Sequence, residues 1–228
     1  MIADKKIFFT GAGLMVSFAV VFVIIFSPVF NGQNGMEYLD DLYNSISKGS
    51  AYYIPKLKED IQPLQGKAVT LTLNMENAER AGEAERLFTT GGAQVDRSGS
   101  TLTVNGDLGA ILGNCLDDAD AMYSNQGPAL VEKYGIHEKQ VLYNWWMAAK
   151  LMDKDLKAQK LFQEAKLVTV VKKKGVETSY NYYTIAPQKI SDKWGIVMFS
   201  LVFYVVYTLW YGFAIMYLFE GWGLQLAH

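Results

Sequence analysis

The chain has 228 residues, half of them hydrophobic, and a formal net charge of −2. That balance, with no dense basic patch, argues against a nucleic-acid partner. A single cysteine, Cys115, excludes an intramolecular disulfide, a CxxCH haem attachment and a cysteine-bound iron–sulfur cluster; His137 and His228 lie outside the long apolar runs, which excludes paired-histidine haem ligation within the chain's own spans.

The mean hydropathy of +0.07 hides an asymmetry, because apolar residues collect at two ends. Residues 1–6 carry Lys5 and Lys6 and precede an uncharged run over 7–30, IFFTGAGLMVSFAVVFVIIFSPVF. Positive residues followed by apolar ones also describe a signal peptide. This run exceeds the usual apolar core of about 7–15 residues, and no A-x-A-like site follows it, so it is expected to be a transmembrane helix. Pro28 lies near its end, where a lost backbone hydrogen bond matters least. Gly11 and Gly13 thin one face and would admit a close neighbouring helix.

Residues 31–66 are expected to be a membrane-proximal helix and connector. Met36, Leu39, Tyr43 and Ile46 recur at helical spacing over 36–48, and Pro55 and Pro63 interrupt regular structure after it. Glu37, Asp40 and Asp41 include a carboxylate pair at helical spacing, read as solvated charge rather than a cation site.

A domain is expected over 67–187. KAVTLTLNM alternates as a strand with one buried face. NAERAGEAERLFTTGG reads as a helix capped by Asn77, with Ala81, Ala84, Leu87 and Phe88 inward. A hairpin turning at Ser98-Gly99 follows, then a helix whose apolar face is Leu108, Ile111, Leu112, Cys115, Leu116 and Met122. The order β-α-β-β-α is the start of a ferredoxin-like split βαβ unit. From His137 to Leu167 the periodicity predicts one amphipathic helix of about 30 residues. KLVTVV, KKKG and VETSYNYYTI then read as strand, turn and strand, either strand supplying the missing fourth.

The domain offers no catalytic constellation. His137 lacks partners at a useful spacing, Asp117, Asp118 and Asp120 read as a solvated face, and Cys115 reads as a small buried hydrophobe. Neither an enzyme activity nor a cofactor or metal site is expected. Trp145 and Trp146 point roughly 100° apart on a helix, so one is expected in the core and the other covering it or meeting a partner. With Tyr182 and Tyr183 they are the aromatic candidates for protein contact.

After a linker over 188–193, residues 194–219, WGIVMFSLVFYVVYTLWYGFAIMYLF, carry no charge. As a helix this run reaches about 39 Å, more than a bilayer core of about 30 Å. Tyr204, Tyr207 and Tyr211 share one face, beside Trp210, and a phenol within hydrocarbon wants a partner. Residues 220–228 form a short tail.

The expected fold is therefore a membrane protein, α+β, with two transmembrane helices flanking one extracytoplasmic domain. Lys5 and Lys6 place both termini in the cytoplasm and the domain on the periplasmic side of a bacterial inner membrane, although Lys189 and Lys193 flank the second span on that outer side. The expected role is a non-catalytic accessory or scaffold subunit of a larger bacterial membrane complex that docks on other membrane subunits through its second span and its extracytoplasmic domain. Two other layouts fit the pattern. One is a homo-oligomeric two-span protein, whose layout resembles that of polysaccharide chain-length regulators; the other is a ligand-binding sensor domain.

Overall fold

The computed structural model describes residues 2–224. Met1 and residues 225–228 lie outside the described residues, and with them His228 and much of the expected 220–228 tail. The chain forms two compact units, one of residues up to Gly49 with those from Pro187 onward, the other Ser50–Ala186.

In the first unit, α1 (Lys5–Phe26) and α10 (Ile190–Trp222) pack antiparallel. Both are long and apolar enough to cross a membrane. Asp4 caps α1 by accepting from the Ile7 N–H at 3.0 Å, and Gly223, at φ +85°, ends α10 in the left-handed conformation that glycine favours. The expected linker over 188–193 is mostly helix, since no breaker follows Pro187 and Asp192 lies in the first turn, where a negative charge suits the helix dipole.

The amphipathic helix α2 (Gly35–Ser50) opens with a reciprocal cap. The Asn34 side chain accepts from the Met36 and Glu37 N–H groups at 2.9 Å, and Glu37 accepts from the Asn34 N–H at 3.0 Å. Its packed face differs from the expected one: Leu42, Ser45 and Lys48 are buried, while Met36 and Tyr43 are exposed. The Tyr43 hydroxyl and Ser200 Oγ lie 2.6 Å apart, and the Gln188 N–H donates to the Ser45 carbonyl at 3.0 Å, which turns that face inward.

The second unit begins earlier than expected. Residues expected to be a connector form α3 (Ile54–Asp60) and a 3-10 turn over Gln62–Leu64. Ile54, Leu57, Ile61 and Leu64 are buried in the core. Pro55 does not break this helix, because it occupies the first turn, where its missing N–H has no intrahelical partner.

The strands β1 (Ala68–Asn74), β2 (Gln94–Ser98) and β3 (Thr101–Asp107) make an antiparallel sheet in the order β1-β3-β2. Between them lies α4 (Ala78–Thr90), capped by Asn77, and after them α5 (Leu108–Tyr123), capped by Asp107. Val69, Leu71 and Leu73 are buried on one face of β1, as the alternation predicts. The apolar faces of α4 and α5 are the expected ones.

The fourth strand of the expected ferredoxin-like unit does not form. Its place beside β1 is closed by α7 (Glu138–Ala158), which follows α6 (Gly127–Tyr134). Asp155 accepts from the Thr72 N–H at 3.3 Å and Gln159 donates to the Thr70 carbonyl at 2.8 Å, so helix side chains satisfy the open edge. The expected long helix also stops at Ala158. Lys160 turns at φ +63°, the Leu161 N–H donates to Leu156 O at 2.9 Å and the Lys160 N–H to Lys157 O at 3.0 Å, a Schellman ending.

The segment expected as strand, turn and strand is helical instead: α8 (Phe162–Val170), a seven-residue π-helical stretch (Val171–Glu177) and α9 (Thr178–Tyr182). Ala165, Val168, Val171, Gly175, Val176 and Ser179 are buried, a helical spacing that continues through the π stretch.

Asp118, read as part of a solvated face, is buried at 1% exposure. It accepts from Lys133 Nζ at 2.7 Å, the Tyr134 hydroxyl at 2.6 Å and the Trp145 indole N–H at 2.7 Å, joining α5, α6 and α7. Burial, and then the Asp118 charge, raise the Tyr134 phenol far above its ordinary value. Removing Asp118 leaves a buried indole N–H unpaired, the Tyr134 hydroxyl proton without its acceptor and Lys133 without its counter-ion. Asp118→Ala is expected to cost about 3 kcal/mol, less than a fully enclosed pair because Lys133 is partly solvated. Asp117→Ala, whose carboxylate is exposed beside Lys58, should stay within about 0.5 kcal/mol. Urea unfolding of the two purified variants, followed by tryptophan fluorescence, measures both.

Candidate interaction surfaces

The chemistry-bearing side chains of the second unit are engaged in its architecture. His137 is the N-cap of α7, its Nδ1 accepting from the Lys139 N–H at 3.3 Å. Asp117 pairs with Lys58 at 2.7 Å, and Asp120 accepts from the Tyr52 hydroxyl at 2.8 Å. Cys115 is buried, and burial, with the Asp118 charge second, pushes its thiol well up, so the nucleophilic thiolate is suppressed. In the first unit, Asp41 accepts from Gln33 at 2.5 Å and Asp40 from Asn44 at 3.0 Å, while Glu37 closes the α2 cap. Among the described residues no group of three His, Cys, Asp or Glu side chains is arranged to hold a metal ion.

The residues singled out in the two long apolar runs divide into two sets. Gly11 lies where α1 and α10 meet: a Cβ there would fall 2.7 Å from Leu218 N and 2.9 Å from Tyr217 C. Gly221 repeats this about one turn away at the same end of the contact, with Phe8 N at 2.4 Å. The sequence reading missed Gly221, which closes the run from the α10 side. Trp210 donates its indole N–H to Leu14 O at 3.1 Å, and Phe18 stacks on Tyr207 at 4.4 Å and lies 5.1 Å from Tyr211. The face expected to meet another subunit therefore meets the chain's own first helix over Tyr207, Trp210 and part of Tyr211.

Tyr204 and Gly13 belong to the other set. Tyr204 is 68% exposed, level with Phe199 and close to Trp194 at 67%. Nothing lies within 4 Å of a Cβ at Gly13, which lines an apolar groove of about 730 Å³ with Phe9, Ala12, Val16, Val20 and Trp210. A helix surface of this kind faces either lipid or another helix.

In the second unit the paired tryptophans split as expected. Trp145 is in the core at 1% exposure, edge-on to Phe88 at 5.6 Å. Trp146 covers it, half-buried, its indole N–H donating to Glu177 at 2.7 Å. Tyr182 and Tyr183 are half-buried against the core; the Tyr183 hydroxyl donates to Glu138 at 3.1 Å and Tyr182 packs edge-on to Tyr123 at 6.3 Å. Burial pushes the Tyr123 phenol up to about 12. A second concavity, about 580 Å³, runs along α4 over Gly82 between Glu79 and Arg97, where Arg97 is tied to Glu85 at 2.7 Å.

No protein-family model, curated protein or solved structure matches the chain.

The two glycines make a contrast that measurement resolves. Gly11→Val puts a branched side chain against the α10 backbone and is expected to destabilise the helix pair by about 1–3 kcal/mol, the usual range for overpacking. Gly13→Val, facing the open groove, should leave the isolated chain's thermal midpoint in detergent unchanged. Equal losses in both variants would contradict the packing described.

Proposed function

We propose that this chain is a non-catalytic accessory or scaffold subunit of a larger membrane complex. It spans a bacterial inner membrane twice and docks through the outward face of α10. The observation that carries this reading is Tyr204. Its phenol projects from an apolar helix with most of the ring uncovered, while the neighbouring polar aromatics Tyr207 and Trp210 are taken up by α1. A hydroxyl facing hydrocarbon is costly, and a partner helix that accepts its hydrogen bond removes that cost. The Gly13 groove gives the same partner, or a second one, a surface without protruding side chains.

The orientation belongs to the same proposal. Lys5 and Lys6 flank the start of α1, and no lysine or arginine follows its far end until Lys48, which favours a cytoplasmic N-terminus and an extracytoplasmic central domain. The antiparallel pairing of α1 and α10 supports returning the other end of the hairpin to the same side.

Solubilisation in mild detergent followed by native mass spectrometry tests the role. The expected species is heavier than the 25.5 kDa chain and contains other polypeptides. Tyr204→Leu should insert normally and lose those partners. A clean monomer, or a mass at whole multiples of the single chain, overturns the proposal; the second result establishes a homo-oligomer. Intact assembly in Tyr204→Leu shows that this face meets only lipid.

A further inference from the structure

The chain reverses tightly after α1. Asn31 and Gly32 both take the left-handed conformation, at φ +52° and +88°, and Phe30 and Gln33 exchange backbone hydrogen bonds at 3.0 Å across them. The start of α2 is thereby brought back against the last turn of α1: a Cβ at Gly35 would fall 3.2 Å from the Ile25 carbonyl oxygen. α2 also touches α10. The Ser200 hydroxyl gives its one proton to the Val197 carbonyl at 2.8 Å, so the Tyr43 hydroxyl, 2.6 Å away, donates to Ser200. Ser200 lies inside the uncharged run over 194–219. These two contacts are thus made with helices long and apolar enough to cross a membrane, and within their apolar stretches.

Around α2 the side chains fall into three sectors. Leu42, Ser45 and Lys48 are turned inward. Glu37, Asp40, Asp41 and Asn44 occupy a polar arc about 100° wide. Met36, Leu39, Tyr43 and Ile46 occupy an apolar arc of about 80°, centred about 130° from the polar one. A helix whose outer side meets only water turns its apolar stripe inward. On α2 Ser45 is 4% exposed, whereas Met36 is 54% and Tyr43 37% exposed, with Leu39 and Ile46 half-buried between them.

We propose that α2 is an interfacial helix whose stripe of Met36, Leu39, Tyr43 and Ile46 lies in the acyl layer of the bilayer, with the acidic arc in water. The proposal rests on the reading of α1 and α10 as membrane spans. Lipid is the covering material because of where α2 is held. A stripe on a helix fixed at Ile25 and Ser200 continues the apolar surface that Phe26, at 52% exposure, and Phe199, at 68%, present on the spans themselves. Separate apolar and charged arcs on one helix are the pattern of an element lying in the plane of the interface. Tyr43 suits that position: Ser200 satisfies its hydroxyl within the chain, so its ring meets hydrocarbon without a bare polar group.

The test uses the full chain in phosphatidylcholine nanodiscs, on a Cys115→Ala background, with one nitroxide label at a time. Met36→Cys, Leu39→Cys and Ile46→Cys report the apolar arc, Asp40→Cys and Asp41→Cys the acidic arc, and Val16→Cys and Val205→Cys the two spans. Each of these positions is exposed or half-buried, so the label needs no space in a core. Collisions of the label with dissolved oxygen, which concentrates in hydrocarbon, and with a polar nickel chelate, which stays in water, are read by power saturation. Nickel collisions at the three apolar positions are expected to be at least about threefold below those at Asp40 and Asp41, because hydrocarbon excludes a polar solute, while oxygen collisions persist. Nickel access at Met36, Leu39 and Ile46 with shielding at Val16 and Val205 overturns the proposal and leaves the spans standing. Nickel access at Val16 and Val205 overturns the spanning reading and the proposal with it. Loss of both oxygen and nickel collisions at the apolar arc shows protein over the stripe and overturns the proposal, as does equal shielding of all five α2 labels.

Discussion

The Asp118 carboxylate takes donors from Lys133, Tyr134 and Trp145, and much of the second unit follows from that convergence. A buried carboxylate is tolerable only when its lone pairs are filled, so α6 and α7 must both approach α5 with fixed side-chain directions. Once Trp145 is held inward it meets Phe88 of α4, and α4 in turn packs on the sheet. Trp146 is one residue further along α7, and helix geometry turns it roughly 100° away, toward Glu177, Lys150 and Lys172. The aromatic surface is a consequence of the core network.

The helix pair of the first unit rests on a different device. Hydrophobicity does not drive two helices together within lipid; close backbone approach and a few polar contacts do. Gly11 and Gly221 supply the approach at one end of the contact, the Trp210 N–H to Leu14 O bond lies near its middle, and the ring of Phe18 against Tyr207 and Tyr211 fills the other end. A hairpin organised this way orients its remaining side chains as well. The residues left outside, Tyr204 and Gly13 among them, are those that the α1–α10 contact does not use.

Periodicity and capping were legible where they agreed. The apolar runs, the helices over α4 and α5 and the strands β1 to β3 all carry a clear period with a cap or turn residue at the boundary. Legibility failed where one signal opposed another. Val168, Thr169, Val170 and Val171 have β-branched side chains that favour a strand, yet the segment buries at helical spacing, and one of the buried positions is Gly175, which reads as a turn residue. The end of α7 was missed because its left-handed residue is Lys160, where glycine or asparagine is the usual mark. The missing fourth strand follows from side chains at 155 and 159 that satisfy a backbone edge, which no local pattern announces. For the interaction surfaces, residue type was legible and direction was not: a face of tyrosines at helical spacing does not reveal that the nearest helix is the chain's own.

Many polar groups of this protein are paired, although Ser179 Oγ and Gln188 Oε1 are buried without a hydrogen-bond partner. The indole N–H groups of Trp145, Trp146 and Trp210 each meet an oxygen, and Thr10, Ser17 and Ser27 donate to carbonyls of their own helix. Against that background an unmatched group carries information. Tyr204 is one such group, a phenol on an apolar helix with most of its ring uncovered.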